Sequence, residues 1–186
     1  MSRKRLRQYL PSPESIADNR FIAKLGPRVR DPRLWHWNRR SVARGVAVGM
    51  FAGLIPGSNP VQFGAAAAGS IAFRVNLPVA VFVTLYSNPF TIVPLYYVAF
   101  RIGQFATMDA SATMPALDIG FSGRPWTEWA GLVWQWVLSL GKPLAVGLPL
   151  LATGLAVAGY FVVDWAWRIS IIAAWRRRSR RGRSEA

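Results

Sequence analysis

The chain has 186 residues, a formal net charge of +15 at pH 7 and a positive mean hydropathy. A chain of this length usually forms one domain, and long apolar runs between basic ends are typical of a small membrane protein rather than of a nucleic-acid-binding protein, so we expect no nucleic-acid partner. The absence of cysteine excludes disulfide bonds and thiolate chemistry, and one histidine, His36, is too few for the usual zinc site.

Residues 1–40 predict a basic arm that associates with the membrane surface. No apolar segment of the signal-peptide type follows the basic start before residue 42, so we expect the arm to remain on the protein. Near its end, Trp35 and Trp37 precede Arg39 and Arg40. Tryptophan and arginine both favour the headgroup level of a bilayer, so this stretch is a predicted interface anchor.

Residues 41–74 predict a broken helical hairpin. Two apolar stretches of about 13 residues each span roughly 20 Å as helix, which is too short to cross a bilayer comfortably. Asn59 and Pro60 form a typical helix start, because asparagine caps a helix and proline is favoured at its first position. The predicted tip between the two stretches consists of Pro56, Gly57, Ser58, Asn59 and Pro60.

Residues 77–101 repeat this pattern. Their apolar stretches meet at Ser87, Asn88 and Pro89, which lie 29 residues after the first Ser-Asn-Pro triplet. We interpret the two units as a weak internal repeat in which each Asn-Pro pair begins a new half-helix. Pro94 is interpreted as a further structural element of the second tip.

The last part of the chain predicts an interfacial helix, a transmembrane helix and a basic tail. Residues 126–140 carry four tryptophans, with apolar residues at helical spacing, a pattern typical of a helix that lies in the interface. Residues 143–163 supply the roughly 20 apolar residues that a bilayer requires, and this helix is predicted to extend as far as residue 175. Residues 176–186 form the tail. The predicted fold class is therefore all-α, a polytopic helical membrane protein with short broken or re-entrant helices.

Two topologies are open for the predicted membrane domain, residues 41–175. Basic residues at both ends place both termini in the cytoplasm. In one topology, the first broken unit enters and leaves on the cytoplasmic side, the second crosses once with a kink, and the last helix returns. In the other, both broken units are re-entrant hairpins, which leaves a single crossing. The residues alone do not decide between the two.

The helix starts and the arginines predict an anion-binding site. From residue 41 to residue 108, arginine is the only ionised residue type. Backbone that leaves helical geometry inside a membrane must be buried in protein or line a wet cavity, helix N-termini attract anions, and arginine binds phosphate bidentately. The ligand-binding residues predicted from this pattern are Arg44, Arg74, Arg101, Asn59 and Asn88.

A structural interpretation of the same residues stays open. The arginines also fit helix ends whose side chains extend to lipid headgroups, and the asparagines also fit simple helix caps. Asp164 fits an ion pair with Arg168, four residues later. Close helix packing, rather than contact with a ligand, is the expected role of Gly45, Gly49, Gly53, Gly64 and Gly69.

Several strings of the sequence resemble a bacterial family of uncharacterised integral membrane proteins, the domain of unknown function numbered 2062. The resemblance covers about residues 34–175 and implies residence in the inner membrane, but it implies no reaction. It also adds Gln62 and Asn76 to the predicted ligand-binding residues. The strings that carry it are Ala43–Gly49, Ile55–Gly57, Phe73–Pro78, Ser87–Pro89, Pro94–Gly103 and Pro143–Arg168.

These patterns together predict a cationic, polar site on broken helices that binds or translocates an anionic lipid or a lipid-linked phosphate. The alternative is a non-transporting membrane scaffold or partner subunit that docks lipid headgroups or another membrane protein. We expect no enzyme and no cofactor, because the chain has no nucleophile elbow, P-loop, metal-ligand spacing or paired carboxylates. Anionic membrane lipids are the expected partners. A homo-oligomer is also expected, because one chain with so few membrane segments can hardly shield two helix breaks alone.

Overall fold

The computed structural model describes residues 27–56, 59–109, 113, 131 and 135–184, and every regular element in this part of the chain is helical. The all-α prediction is therefore confirmed for the described residues. Two 3₁₀ turns, Pro27–Arg30 and Pro32–Trp35, come first. A third 3₁₀ turn, Thr84–Tyr86, comes between Val83 and Ser87, and residues 135–139 are also helical. The longer helices are α1 (Arg39–Ala52), α2 (Asn59–Phe73), α3 (Leu77–Val83), α4 (Pro89–Thr107) and α5 (Gly141–Ser184).

The two helices for which the sequence predicted a start at an Asn-Pro pair, α2 and α4, begin there. The Asn88 side chain accepts hydrogen bonds from the backbone of Phe90 and Thr91, and the Thr91 hydroxyl in turn accepts one from the backbone N–H of Asn88. This reciprocal capping box fixes the start of α4 at Pro89. α2 begins at Asn59, also as predicted, but Gly57, Ser58 and the Asn59 side chain lie outside the described residues.

Glycines on α1 bring α3 into close parallel contact. A Cβ atom at Gly45 would lie 2.7 Å from the Asn76 carbonyl oxygen, and one at Gly53 would lie 2.5 Å from the Tyr86 ring. Gly49, between them, packs against Ala80 in the same way. The residue numbers of the glycines and of their contacts rise together along the two helices, so α1 and α3 are parallel. The expected packing role is confirmed for these three glycines.

α2 runs back along α1 and packs against both α1 and α3, which completes a unit of three short helices, α1–α3. Gly69, late in α2, contacts Val48 in the middle of α1, whereas Gln62, early in α2, contacts Ile55 just after α1 ends. These contacts make α2 antiparallel to α1. Gly64 differs from these glycines, because no atom of the described residues lies within 4 Å of a Cβ atom placed there, and the packing role expected for it stays a prediction.

α5 is the longest helix, and the other helices pack along it in two places. Near its start, Gly147 packs against the backbone of Ala99 and Pro143 packs against Gly103, so α4 runs antiparallel to this part of α5. Farther along, Gly159 packs against α1 through Val46. α5 therefore connects α4 at one end with the three-helix unit at the other.

A buried apolar cluster fills the space between α4, α5 and the end of α1. The rings of Tyr96 and Trp136 stack with their centroids 6.4 Å apart. Leu54, just after α1, belongs to the same cluster. Its other buried members are Ala99, Phe100, Leu140, Leu144, Leu148 and Ala152.

The second Ser-Asn-Pro triplet marks a sharp turn in the chain. Leu77–Tyr86 and Phe90–Thr107 meet at an angle of 85°. Pro89 lacks an N–H group and begins the second helix, which explains why the helix axis changes direction here. Pro94, in contrast, lies inside α4 and not at the tip to which the sequence assigned it.

One described helix is long and apolar enough to cross a membrane, Gly141–Ala173 of α5. A second span is possible by the same criteria if the bent pair around Pro89 counts as one span. α5 starts before the predicted residues 143–163 and continues as one helix to Ser184, so the backbone of most of the predicted tail is helical. Residues 1–26, and residues 126–134 apart from 131, lie outside the described residues, and so do the predictions made for them.

Candidate functional site

Gln62, just after the first predicted tip, contacts the second. This side chain is 2% exposed. Its Nε2 donates a hydrogen bond to the carbonyl of Ile55 at 3.3 Å, and its Oε1 accepts one from Ser87 Oγ at 3.1 Å. Gln62 thereby links the end of α1 to the second Ser-Asn-Pro triplet. The role of Ser87 was missed in the sequence, although the repeated triplet contains it.

Further hydrogen bonds close the second tip. The Tyr86 hydroxyl donates to the carbonyl of Met50 at 2.7 Å, and the Thr91 hydroxyl donates to the carbonyl of Tyr86 at 2.5 Å. The Asn88 side chain is engaged in its capping box. Since buried polar groups need partners, these contacts favour the open structural interpretation, in which Gln62 and Asn88 seal the chain breaks rather than face a ligand.

The turn between α2 and α3 carries Arg74 in an unusual conformation. Its φ of 53° is left-handed, and the backbone N–H of Val75 donates to the carbonyl of Ser70 at 3.0 Å, as in helix ends that usually place glycine at this position. A left-handed conformation costs a residue with a Cβ atom about 1–2 kcal/mol. The Arg74 side chain is exposed.

Asn76 fastens this turn to the start of α1. The side chain is fully buried, and its Oδ1 accepts a hydrogen bond from Val79 N at 2.9 Å, which caps α3. Its Nδ2 donates to the carbonyl of His36 at 3.0 Å, and its backbone N–H donates to the carbonyl of Ser41 at 3.4 Å. Asn76 is therefore a positioning residue that holds the Arg74 turn beside α1.

The start of α1, this turn and the later part of α5 form one strongly cationic region. We call it the basic end. Asp164 contacts two of its arginines, at 3.2 Å from Arg39 Nε and 3.0 Å from Arg168 Nε. The i+4 ion pair predicted within α5 is thereby confirmed, whereas the part taken by Arg39 was missed because it depends on the packing of α1 on α5. The arginines of the basic end are Arg39, Arg40, Arg44, Arg74 and Arg168.

Arg101 does not belong to the basic end. It lies on α4 two residues before Gly103, which packs against Pro143 at the start of α5. Within the basic end, Arg39 of α1 contacts α5 at Asp164. Between Pro143 and Asp164, α5 rises by roughly 30 Å at about 1.5 Å per residue. The structure therefore brings Arg44 and Arg74 to one region and places Arg101 at the other end of α5, so the three arginines do not form one site.

The chemistry available at the basic end is recognition of anions by guanidinium groups. The side chains of Arg40, Arg44 and Arg74 are exposed, and arginine forks match the oxygens of a phosphate. Within the part of the chain that the structure describes, no group of three histidine, aspartate or glutamate side chains is placed to hold a metal ion.

Residues 22–176 match a bacterial family described as an uncharacterised protein conserved in bacteria, DUF2062. The match covers most of the chain, so the chain belongs to this family and the resemblance seen in its sequence is confirmed. Comparison with curated proteins and with solved structures found no match. Since the family has no assigned activity, function has to be argued from the geometry of the chain itself.

Proposed function

We propose that this member of DUF2062 is a small membrane protein that binds or translocates an anionic lipid or a lipid-linked phosphate at its basic end, without enzymatic activity. One observation carries the proposal. Arg44 on α1 and Arg74 in the turn after α2 are both exposed at one end of the molecule, and Asn76 fastens this turn to the start of α1. No carboxylate lies between residues 41 and 108 to neutralise them.

The backbone at Arg74 adds support. Glycine is the usual residue in a left-handed helix end, because it lacks the Cβ atom that makes this conformation costly. Arginine in that place retains a charge at an energetic cost, and strained backbone of this kind clusters at functional positions. The cost has an explanation if Arg74 contacts a ligand.

A membrane location is supported by the dimensions of the helices. The apolar part of α5 is mostly exposed, as expected for a helix surrounded by lipid, and the distance from Pro143 to Asp164 is close to the roughly 30 Å of a hydrocarbon core. α1 and α2 have 14 and 15 residues, which reach only about 20 Å. We therefore propose that the three-helix unit is re-entrant, with its basic end and both termini on the cytoplasmic side of the inner membrane.

The lipid site is tested by substitution at the two ends of the molecule. Purified protein in nanodiscs of phosphatidylcholine is titrated with phosphatidic acid, and bound lipid is counted by native mass spectrometry. We expect Arg44→Gln and Arg74→Gln to lose the bound lipid and Arg101→Gln to retain it. Lys142→Gln is the matched control, since it removes an exposed charge at the far end. Equal binding by all variants would remove the proposal.

The re-entrant topology is tested by single cysteines, which have no natural background because the chain contains none. A membrane-impermeant maleimide should label Arg40→Cys from the cytoplasmic side, label Met108→Cys from the opposite side, and leave Pro56→Cys protected from both. Labelling of position 56 from the outside would show that α1 crosses the membrane.

A second candidate, binding without transport, is favoured by the closed tips. The polar side chains at the second tip form hydrogen bonds with each other or with nearby backbone carbonyls, so they are engaged in closing the breaks. These residues are Gln62, Tyr86, Ser87 and Thr91. A scaffold or partner subunit that docks lipid headgroups would need no path past them. Retained lipid binding with no transfer of labelled lipid between vesicle leaflets would select this candidate. The mass of the same complex also gives the oligomeric state, which we propose to be a homo-oligomer.

A further inference from the structure

We infer that Arg39 and Arg168 form a phosphate-binding pincer between α1 and α5, and that Asp164 is a positioning residue that orients both from beneath. The inference rests on the proposed function, because it adds two arginines to the anion site at the basic end. It concerns residues that the sequence patterns did not assign to a ligand. Arg39 is the first residue of α1, and the other two lie one turn apart on α5.

The carboxylate of Asp164 is less exposed to solvent than the guanidinium groups of Arg39 and Arg168. The Asp164 side chain is 12% exposed, whereas those of Arg39 and Arg168 are 30% and 58% exposed. The carboxylate is therefore covered, and the guanidinium groups above it are open to an incoming anion. An anion approaching this region meets the arginines first.

The contacts leave much of each guanidinium available. Arg39 Nε lies 3.2 Å from one carboxylate oxygen, and Arg168 Nε lies 3.0 Å from the other. A guanidinium has five N–H groups, so a contact through Nε leaves the four on the terminal nitrogens for further acceptors. Since both ε nitrogens contact the same carboxylate, the two guanidinium groups are neighbours, and in the pincer one phosphate contacts both at usual charge-assisted distances of about 2.8 Å.

Charge and orientation make opposite contributions here. Two guanidinium groups and one carboxylate leave a net positive charge, so the trio still attracts anions. Asp164 itself repels an anion, but it holds two long, flexible side chains that would otherwise lose conformational freedom on binding. If orientation outweighs repulsion, removal of the carboxylate weakens phosphate binding, although it makes the region more positive.

The sign of that effect distinguishes the pincer from a plain ion pair. The full-length protein in phosphatidylcholine nanodiscs is titrated with phosphatidic acid, and its unfolding midpoint is measured in parallel. We expect Arg168→Gln and Arg39→Gln to weaken binding by about 10- to 100-fold, the range of a charge-assisted hydrogen bond. Asp164→Asn should weaken it several-fold, Asp164→Glu should restore it, and the control Lys142→Gln should bind like the natural protein.

A plain ion pair that only holds α1 against α5 gives a different result. It lowers the unfolding midpoint in Asp164→Asn but leaves phosphatidic acid binding unchanged or, through the lost negative charge, tighter. That result, or unchanged binding in Arg168→Gln, overturns the pincer. Should Arg168→Gln not fold, Arg168→Lys keeps the charge without the fork, and it is expected to bind more weakly than the natural protein; equal binding by this variant also overturns the pincer.

Two further arms separate the sources of the phosphate and the two proposals. If inorganic phosphate displaces the bound phosphatidic acid, the pincer is open to free anions. If binding of phosphatidic acid depends on Arg168 but inorganic phosphate does not displace it, the pincer is a site for lipid headgroups. Loss of binding in Arg44→Gln and Arg74→Gln, with none in the Arg39 and Arg168 variants, overturns the pincer and leaves the proposed function standing. Absence of phosphatidic acid binding by the natural protein removes both.

Discussion

The contact of α1 with α3 at Gly49 predicts a large difference between two chemically identical substitutions. A Cβ atom at Gly49 would lie 2.8 Å from the Val83 Cβ and 3.1 Å from the carbonyl carbon of Ala80, well inside an ordinary contact of 3.4–4 Å. At Gly64, on the neighbouring α2, a Cβ atom would meet nothing within 4 Å among the described residues. Gly49→Ala and Gly64→Ala therefore differ only in the space around the added methyl group.

The expected magnitudes follow from two opposing terms. Alanine gains about 1 kcal/mol over glycine in a helix interior, and this gain applies at both positions. Overpacking costs about 1–3 kcal/mol, and it applies only at Gly49, because there the backbone of α3 has to move. We expect Gly64→Ala to raise the free energy of unfolding by up to about 1 kcal/mol and Gly49→Ala to lower it by about 1 kcal/mol.

The difference of about 2 kcal/mol between the variants is measured by denaturant or thermal unfolding in one detergent, with helical circular dichroism as the signal. Comparing the two alanine variants with each other cancels effects of the detergent on the unfolded chain. Equal stability of the two variants would mean that α1 and α3 are not in close contact at this point.

Four further substitutions test other contacts. Ser87→Ala should destabilise the fold by about 1–3 kcal/mol because it leaves the Gln62 oxygen unpaired, and a double variant with Gln62→Met should recover part of the loss in a double-mutant cycle. Asn88→Ala should cost about 1 kcal/mol in unfolding free energy, with Asn88→Asp near neutral, since aspartate also caps. Arg74→Gly should unfold at equal or higher denaturant concentration and yet lose phosphatidic acid, which a purely structural arginine would not do. Gly103→Ala should impair the docking of α4 on α5 and expose the chain to limited proteolysis.

Several features of the fold were predictable because they depend on neighbours in the chain. Asn59 and Asn88 mark helix starts, since a cap acts on the backbone two or three residues later. The ion pair between Asp164 and Arg168 follows from the spacing of one helical turn. The apolar composition of α5 likewise identifies the candidate membrane span without reference to any other helix.

The candidate site was only partly predictable. The sequence selected Arg44, Arg74 and Arg101 together because they are the ionised residues of an otherwise uncharged region. The 85° turn at the second triplet directs α4 away from the three-helix unit, so Arg101 lies at the other end of α5. Arg39, in contrast, could not be distinguished from the many other basic residues of the arm. Its place in the basic end follows from its contact with Asp164.

The starts of helices, the helix that is long and apolar enough for a membrane, and the family of the chain can all be read from the residues in order, because each depends on local chemistry. The polar groups that meet across the molecule are instead set by how the helices pack. Gln62 reaches Ser87 over 25 positions of sequence, and Arg39 reaches Asp164 on another helix. Such pairs depend on how closely the helices approach and at what angle, which the glycines of α1 and the turn at Asn88 set together.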